Sequence, residues 1–197
     1  MGFFDKIFRR NKKVEQKTEL MNPNDIWFTI PTISNEFPQT VDTTKQTEFD
    51  IYIHEDDYRI NEFLNLDALP LIEQEFVGIK NIWANHSKKS CDYTLFKECH
   101  VRDVIGQPGL NIPFDDLKAL LKISSVGQVI INGDMLKNGF AIKTDNTTYF
   151  GTLNAGIVTE LCISQWNENT KNEILEINKA FNVLFVNWPH CDMIKND

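Results

Sequence analysis

The alternating run Phe49-Asp50-Ile51-Tyr52-Ile53 reads as a strand with one buried face. Beyond the acidic stretch Glu55-Asp56-Asp57, the apolar positions Leu69, Ile72, Phe76, Ile79 and Trp83 recur every three or four residues. That spacing puts all five on one stripe and predicts a long amphipathic helix. Pro70 falls in its first turn, where a missing amide is tolerated, and Gly78 weakens it slightly. Residues 85–90 end the helix, with Lys88 and Lys89 near the negative end of its dipole. A short helix over 58–64 also fits the pattern.

The flanking segments read as cover for this stripe. Residues 26–30 form a strand stopped by Pro31, and the polar stretch 34–47 is a surface loop. Residues 93–96 and 100–105 are two strands, the second closed by the turn at 106–109. A helix over 113–122 points Phe114, Leu117, Leu120 and Leu121 inward. Residues 128–132, 140–144 and 147–151 form a meander. The pattern of 157–164 fits both a further strand and a helical turn. The last helix, over 170–183, has Thr170 as N-cap, Glu173 at the capping-box position, and a stripe of Ile174, Ile177, Phe181 and Leu184. Residues 185–188 make an edge strand that Pro189 ends. The expected class is α+β in a single domain, with a largely antiparallel sheet and helices packed on one face.

Charge divides the chain in two. Residues 1–20 carry six bases against three acids, a net of +3. The whole chain has 20 bases and 28 acids, so residues 21–197 hold 14 and 25, a net of −11. A body this acidic repels nucleic acid and attracts basic proteins. No apolar run reaches the roughly 18 residues of a membrane span. Residues 1–13 set Phe3, Phe4, Ile7 and Phe8 ahead of Arg9, Arg10, Lys12 and Lys13. They suit a peripheral membrane contact, a helix packed on the body, or a frayed tail. No secretory signal is visible, and the four cysteines are too few for a dense disulfide framework. A cytoplasmic protein with reduced thiols is expected.

Few residues carry a chemical pattern. Cys99-His100 and His190-Cys191 are mirror-image dipeptides. Neighbouring strand residues point to opposite faces, so neither dipeptide supplies two zinc ligands readily. A Cys–His nucleophilic pair would lack a visible oxyanion loop. No metal or cofactor is expected. The carboxylates are the remaining candidates, Glu55-Asp56-Asp57 first and Asp115-Asp116 second, either as solvated helix starts or as a docking patch for a basic protein.

The segment Glu55-Asp56-Asp57-Tyr58-Arg59, followed by Asn61-Glu62-Phe63 and the long amphipathic helix, is similar to bacterial immunity proteins. The resemblance implies a small acidic α+β protein that neutralises a contact-delivered toxin by binding it. From the charge pattern alone, Glu55, Asp56, Asp57, Asp115 and Asp116 are the expected partner-binding residues. The alternative is a hydrolase or small-ligand-binding enzyme whose acids or Cys–His groups meet only in the fold. An enzyme calls for a deep pocket of convergent polar groups, and a plug for a broad acidic surface.

Overall fold

A computed structural model describes residues 26–42, 49–103 and 109–196. From the N-terminal side come β1 (Thr32–Ser34), β2 (Thr40–Val41), β3 (Asp50–Ile53), β4 (Asn61–Asn65) and α1 (Leu69–Asn85). The middle holds the hairpin β5 (Ser87–Ser90) and β6 (Tyr93–Phe96), then β7 (His100–Arg102), β8 (Ile112–Pro113) and α2 (Phe114–Leu120). A run of strands follows: β9 (Ser125–Ile131), β10 (Asp134–Leu136), β11 (Gly139–Lys143), β12 (Thr148–Asn154) and β13 (Ile157–Ile163). The chain closes with α3 (Lys171–Phe181), β14 (Val183–Asn187) and β15 (Asp192–Ile194).

Among the described residues, eleven strands join one sheet in the order β15-β14-β4-β13-β12-β11-β9-β10-β2, with β3 lying parallel beside β9 and β8 antiparallel beside β13. The remaining pairings in the sheet are antiparallel. β1 and β7 form a separate parallel pair, and the β5–β6 hairpin stands alone but for the bridge from Phe28 to Phe96. Residues across β14 alternate between the two faces, as the pleat requires. Val183 and Phe185 join Phe63, Tyr149, Leu161, Ile174 and Ile177 beneath α2 and α3. Leu184 and Val186 join Leu64, Ile72, Phe76 and Trp188 beneath α1. A third cluster, with Tyr58, Val129, Phe150 and Cys162, lies on the same face as α1 but farther along the sheet.

The α+β class with a largely antiparallel sheet holds, and the helices divide between the two faces. Several local readings change. The strand expected at 26–30 is only a bridge at Phe28, and the chain becomes a strand after Pro31 instead. Residues 61–64, which also fit a short helix over 58–64, belong to the central strand β4, with Glu62, Phe63 and Leu64 buried. Residues 87–90 do more than end the helix: they fold back as β5 through Cys91, whose φ is 54°. The loop at 34–47 contains the two-residue β2, and 157–164 resolves as β13. β14 is no edge strand, because β15 covers its outer side. Glu173 does not reach back to cap α3; it accepts from Thr144, Asn146 and Tyr149, and the capping box is formed one turn earlier by Asn167 and Thr170. The readings for residues 1–20 and for the turn through Pro108 lie outside the described residues.

Candidate functional site

The acidic stretch folds as a single 3-10 turn, Glu55–Asp57, with all three carboxylates exposed. Its hold on the body is local and specific. His54 Nδ1 accepts from the Asp56 amide at 3.2 Å, and Glu55 Oε2 accepts from Asn132 Nδ2 at 2.9 Å. Tyr58 and Arg59 follow at once and are buried, so the turn is anchored on its C-terminal side. β4, rather than the long helix, is the element that comes next. Beside the turn, Asp57 lines a groove of about 340 Å³ with Tyr52, Ile60, Asn61 and Gln165, and the Tyr52 ring is 71% exposed.

Behind the turn lies a cluster of charges with no counterpart among the sequence-derived candidates. Arg59 adopts a left-handed backbone, φ 59°, and its side chain is 5% exposed. Its Nε donates to Glu62 Oε2 at 2.6 Å, one terminal nitrogen pairs with Glu36, and the Glu160 carboxylate lies 3.9 Å away. Glu62 Oε1 accepts from the Trp188 indole at 2.7 Å. Glu160 Oε2 accepts from the Tyr58 hydroxyl at 2.6 Å and from Thr152 at 3.0 Å. Arg102, carried in by β7, donates to the Arg59 carbonyl and lies 4.9 Å over the Trp188 ring.

Burial shapes the ionisation of this cluster. It opposes the Arg59 charge, but neighbours led by Glu62 outweigh it and raise the guanidinium's pKa. Arg102 is pulled down to about 10, chiefly by burial. Burial pushes the Tyr58 phenol and the Cys162 thiol up, with Glu160 adding to the first and Glu62 to the second. Both stay neutral at physiological pH.

β4 and β13 pair at Cys162 and Glu62 and then part, with β8 taking up the pairing at Ile157 and Val158. A groove of about 620 Å³ opens in that wedge, floored by Arg59, Glu62 and Glu160. A second groove, about 570 Å³, meets it at Glu160 and runs past Glu36 and the 79%-exposed Phe37.

The second acidic pair, Asp115 and Asp116, is exposed in the first turn of α2, with Asp115 held by Lys118 at 2.7 Å. The Cys and His dipeptides have separate partners. His100 meets Glu75 at 2.6 Å, while the His190 ring sits 6.4 Å from that of Trp83. Burial lifts the Cys99 and Cys191 thiols to about 11. Among the described residues, no three His, Cys, Asp or Glu side chains gather closely enough to hold a metal ion. No family model matches the chain, and neither a curated protein nor a solved structure matches it. No helix among the described residues is long and apolar enough to cross a membrane. The Arg59–Glu62–Glu160 cluster escaped sequence reading because Glu36, Glu160 and Trp188 reach Arg59 and Glu62 only in the fold.

Proposed function

We propose that this chain is a non-enzymatic protein-binding module, a cytoplasmic bacterial immunity protein that neutralises a basic toxin by binding it. The observation that carries the reading is the exposed acidic turn. It presents three carboxylates, Glu55, Asp56 and Asp57; Asn132 holds that of Glu55, and His54 accepts from the Asp56 backbone amide. Next to them stand a groove and an exposed Tyr52. An aromatic anchor beside exposed charges is what a protein interface uses, since the ring supplies contact area and the charges supply steering and register. Asp115 and Asp116 are a second acidic point of contact. The groove acids support a binding role by a different route: Glu62 and Glu160 accept hydrogen bonds from the protein's own side chains, which suits them to holding structure.

The alternative, a small-ligand-binding enzyme, draws on the two grooves that meet at Glu160. One experiment separates the readings, because the turn lines neither of those grooves. The partner is captured, and its association rate is measured for wild type and for the triple variant Glu55→Gln, Asp56→Asn, Asp57→Asn. The rate should fall about tenfold or more at low salt, with the difference shrinking as salt rises. The melting temperature should barely move. Equal association rates at low salt would remove the turn from the interface and leave Asp115 and Asp116 as its acidic contact, whereas capture of no partner would favour the groove.

A further inference from the structure

The groove beside the acidic turn joins apolar walls to an unsatisfied polar rim. Buried Phe150 and half-buried Ile53 supply the walls, while Tyr52, Asp57 and Gln165 are exposed at its edge. Of the three acids in the turn, Asp57 alone has no side-chain partner among the described residues: Glu55 is held by Asn132, and Asp56 lies 3.4 Å from His54. Asn61, the first residue of β4, also lines the groove. Its Oδ1 is buried and has no hydrogen-bond partner among the described residues. A carbonyl oxygen in that state bears a desolvation cost that an incoming donor would offset.

We propose that this groove seats one arginine side chain of the basic partner. Such a seat presupposes that the turn belongs to an interface, and it gives that interface its specificity. The chemistry selects a guanidinium, whose fork offers paired N–H groups to a carboxylate and keeps others for an amide oxygen. Asp57 supplies the carboxylate, Asn61 the amide oxygen, and Gln165 a second one at the edge. A weakly hydrated planar cation also stacks on an aromatic ring, which Tyr52 provides, and its methylene stem suits Ile53 and Phe150. A lysine ammonium is a compact, strongly hydrated point charge and matches this set less well. Arg59, two residues from Asp57, does not compete for the seat, because it is buried and paired with Glu36 and Glu62. At about 340 Å³ the space stands at the small end of ligand sites, which suits a single side chain better than a cofactor.

An NMR titration of the isotope-labelled full chain at low salt tests this. The probes are N-acetylarginine amide, N-acetyllysine amide and the neutral isostere N-acetylcitrulline amide. The arginine probe should shift the side-chain amides of Asn61 and Gln165 saturably, with a Kd on the order of 1 mM, as fits one small ligand. The citrulline probe should leave them unmoved, and the lysine probe should bind several-fold more weakly. Asp57→Asn and Asn61→Leu should each weaken arginine binding about fivefold or more. The melting temperature of Asn61→Leu should hold or rise, since leucine leaves no oxygen unpaired. Equal binding of citrulline or lysine, undiminished binding by either variant, or no saturable shift up to about 20 mM arginine probe would each overturn the seat. Failure here is distinct from failure of the interface itself. If the triple variant slows partner association while the arginine probe leaves Asn61 unmoved, the interface stands and the arginine seat falls.

Discussion

The two faces of the central sheet are covered in different ways. Beneath α2 and α3 lies one continuous apolar cluster, with members from Phe63 to Phe185. The other face has two smaller apolar clusters, with Glu62 and Glu160 on the strands that join them and Arg59 and Arg102 closing over the seam. Apolar burial is non-directional, so the first face tolerates exchanges of similar volume. The second face depends on every partner, because a buried charge that loses its counterion stays buried. Arg59 illustrates that dependence. Its left-handed backbone costs on the order of 1 kcal/mol, and it is held there by contacts to Glu36, Glu62 and the strand β7.

The largest effect should therefore come from removing one charge at the seam. Glu62 is 4% exposed and holds both Arg59 and the Trp188 indole. Glu62→Ala should cost about 3–5 kcal/mol by urea denaturation. On the opposite face, Ile177→Val should cost only about 1 kcal/mol, although Ile177 is fully buried. If the two substitutions cost the same, the contrast between the faces is not energetic.

A second test uses alkali. The Cys99 and Cys191 thiols are lifted from 9.0 to about 11, Cys162 well above 9.0, and the Tyr58 and Tyr149 phenols above 10.0, each chiefly by burial. The folded protein thus keeps protons that the unfolded chain releases. Their contribution is complete below pH 9.0 and declines as pH climbs toward 11. Arg102 works in the opposite direction, since burial lowers it to about 10. The five raised groups outnumber it, so the melting temperature should hold to about pH 9.0 and fall between there and 11. Four of the five lie outside the apolar cluster beneath α2 and α3, Tyr149 being the exception. Cys162→Ala should flatten the decline, and a melting temperature constant through pH 11 would sink the assignment.

Periodicity was a good guide where burial is one-sided. The stripe Ile72, Phe76 and Ile79 is buried as the spacing requires, and β9, β11 and β12 fall close to the expected meander. It failed where both faces of a strand are covered. Asn61-Glu62-Phe63-Leu64-Asn65 has two adjacent apolar residues and no alternation, and the burial of Glu62 is matched by Arg59 and by Trp188, which donates to it from 126 residues away. β13 was ambiguous because the turn before it, Ala155-Gly156, takes φ values of 50° and 81° with Ala where Asn or Asp is usual. The acidic turn was legible as exposed charge. Its clamp by Asn132 and its groove with Gln165 depend on strands brought together by the fold.

The smallest effect, and the finest test of how the second face is assembled, concerns Gly78. In an exposed helix, Gly→Ala stabilises by about 1 kcal/mol, because glycine gives up more backbone entropy than alanine. In α1 a Cβ at position 78 would overlap three atoms of the His100 ring, which lies against this turn. His100 is also held by Glu75 at 2.6 Å, one turn earlier on the same helix. The small residue thus seats β7, the strand that carries Arg102 to the seam. Gly78→Ala should lower stability slightly or leave it level, as the displaced ring loses Glu75 while the helix gains propensity. Made in a His100→Ala background, the same substitution should stabilise by about 1 kcal/mol, because only the helix term is left. The two singles and the double variant form a cycle readable from urea midpoints. If Gly78→Ala stabilised the wild-type protein by as much as the His100→Ala variant, the ring would not be docked on that turn, and the path from α1 to Arg102 would have to run through other contacts.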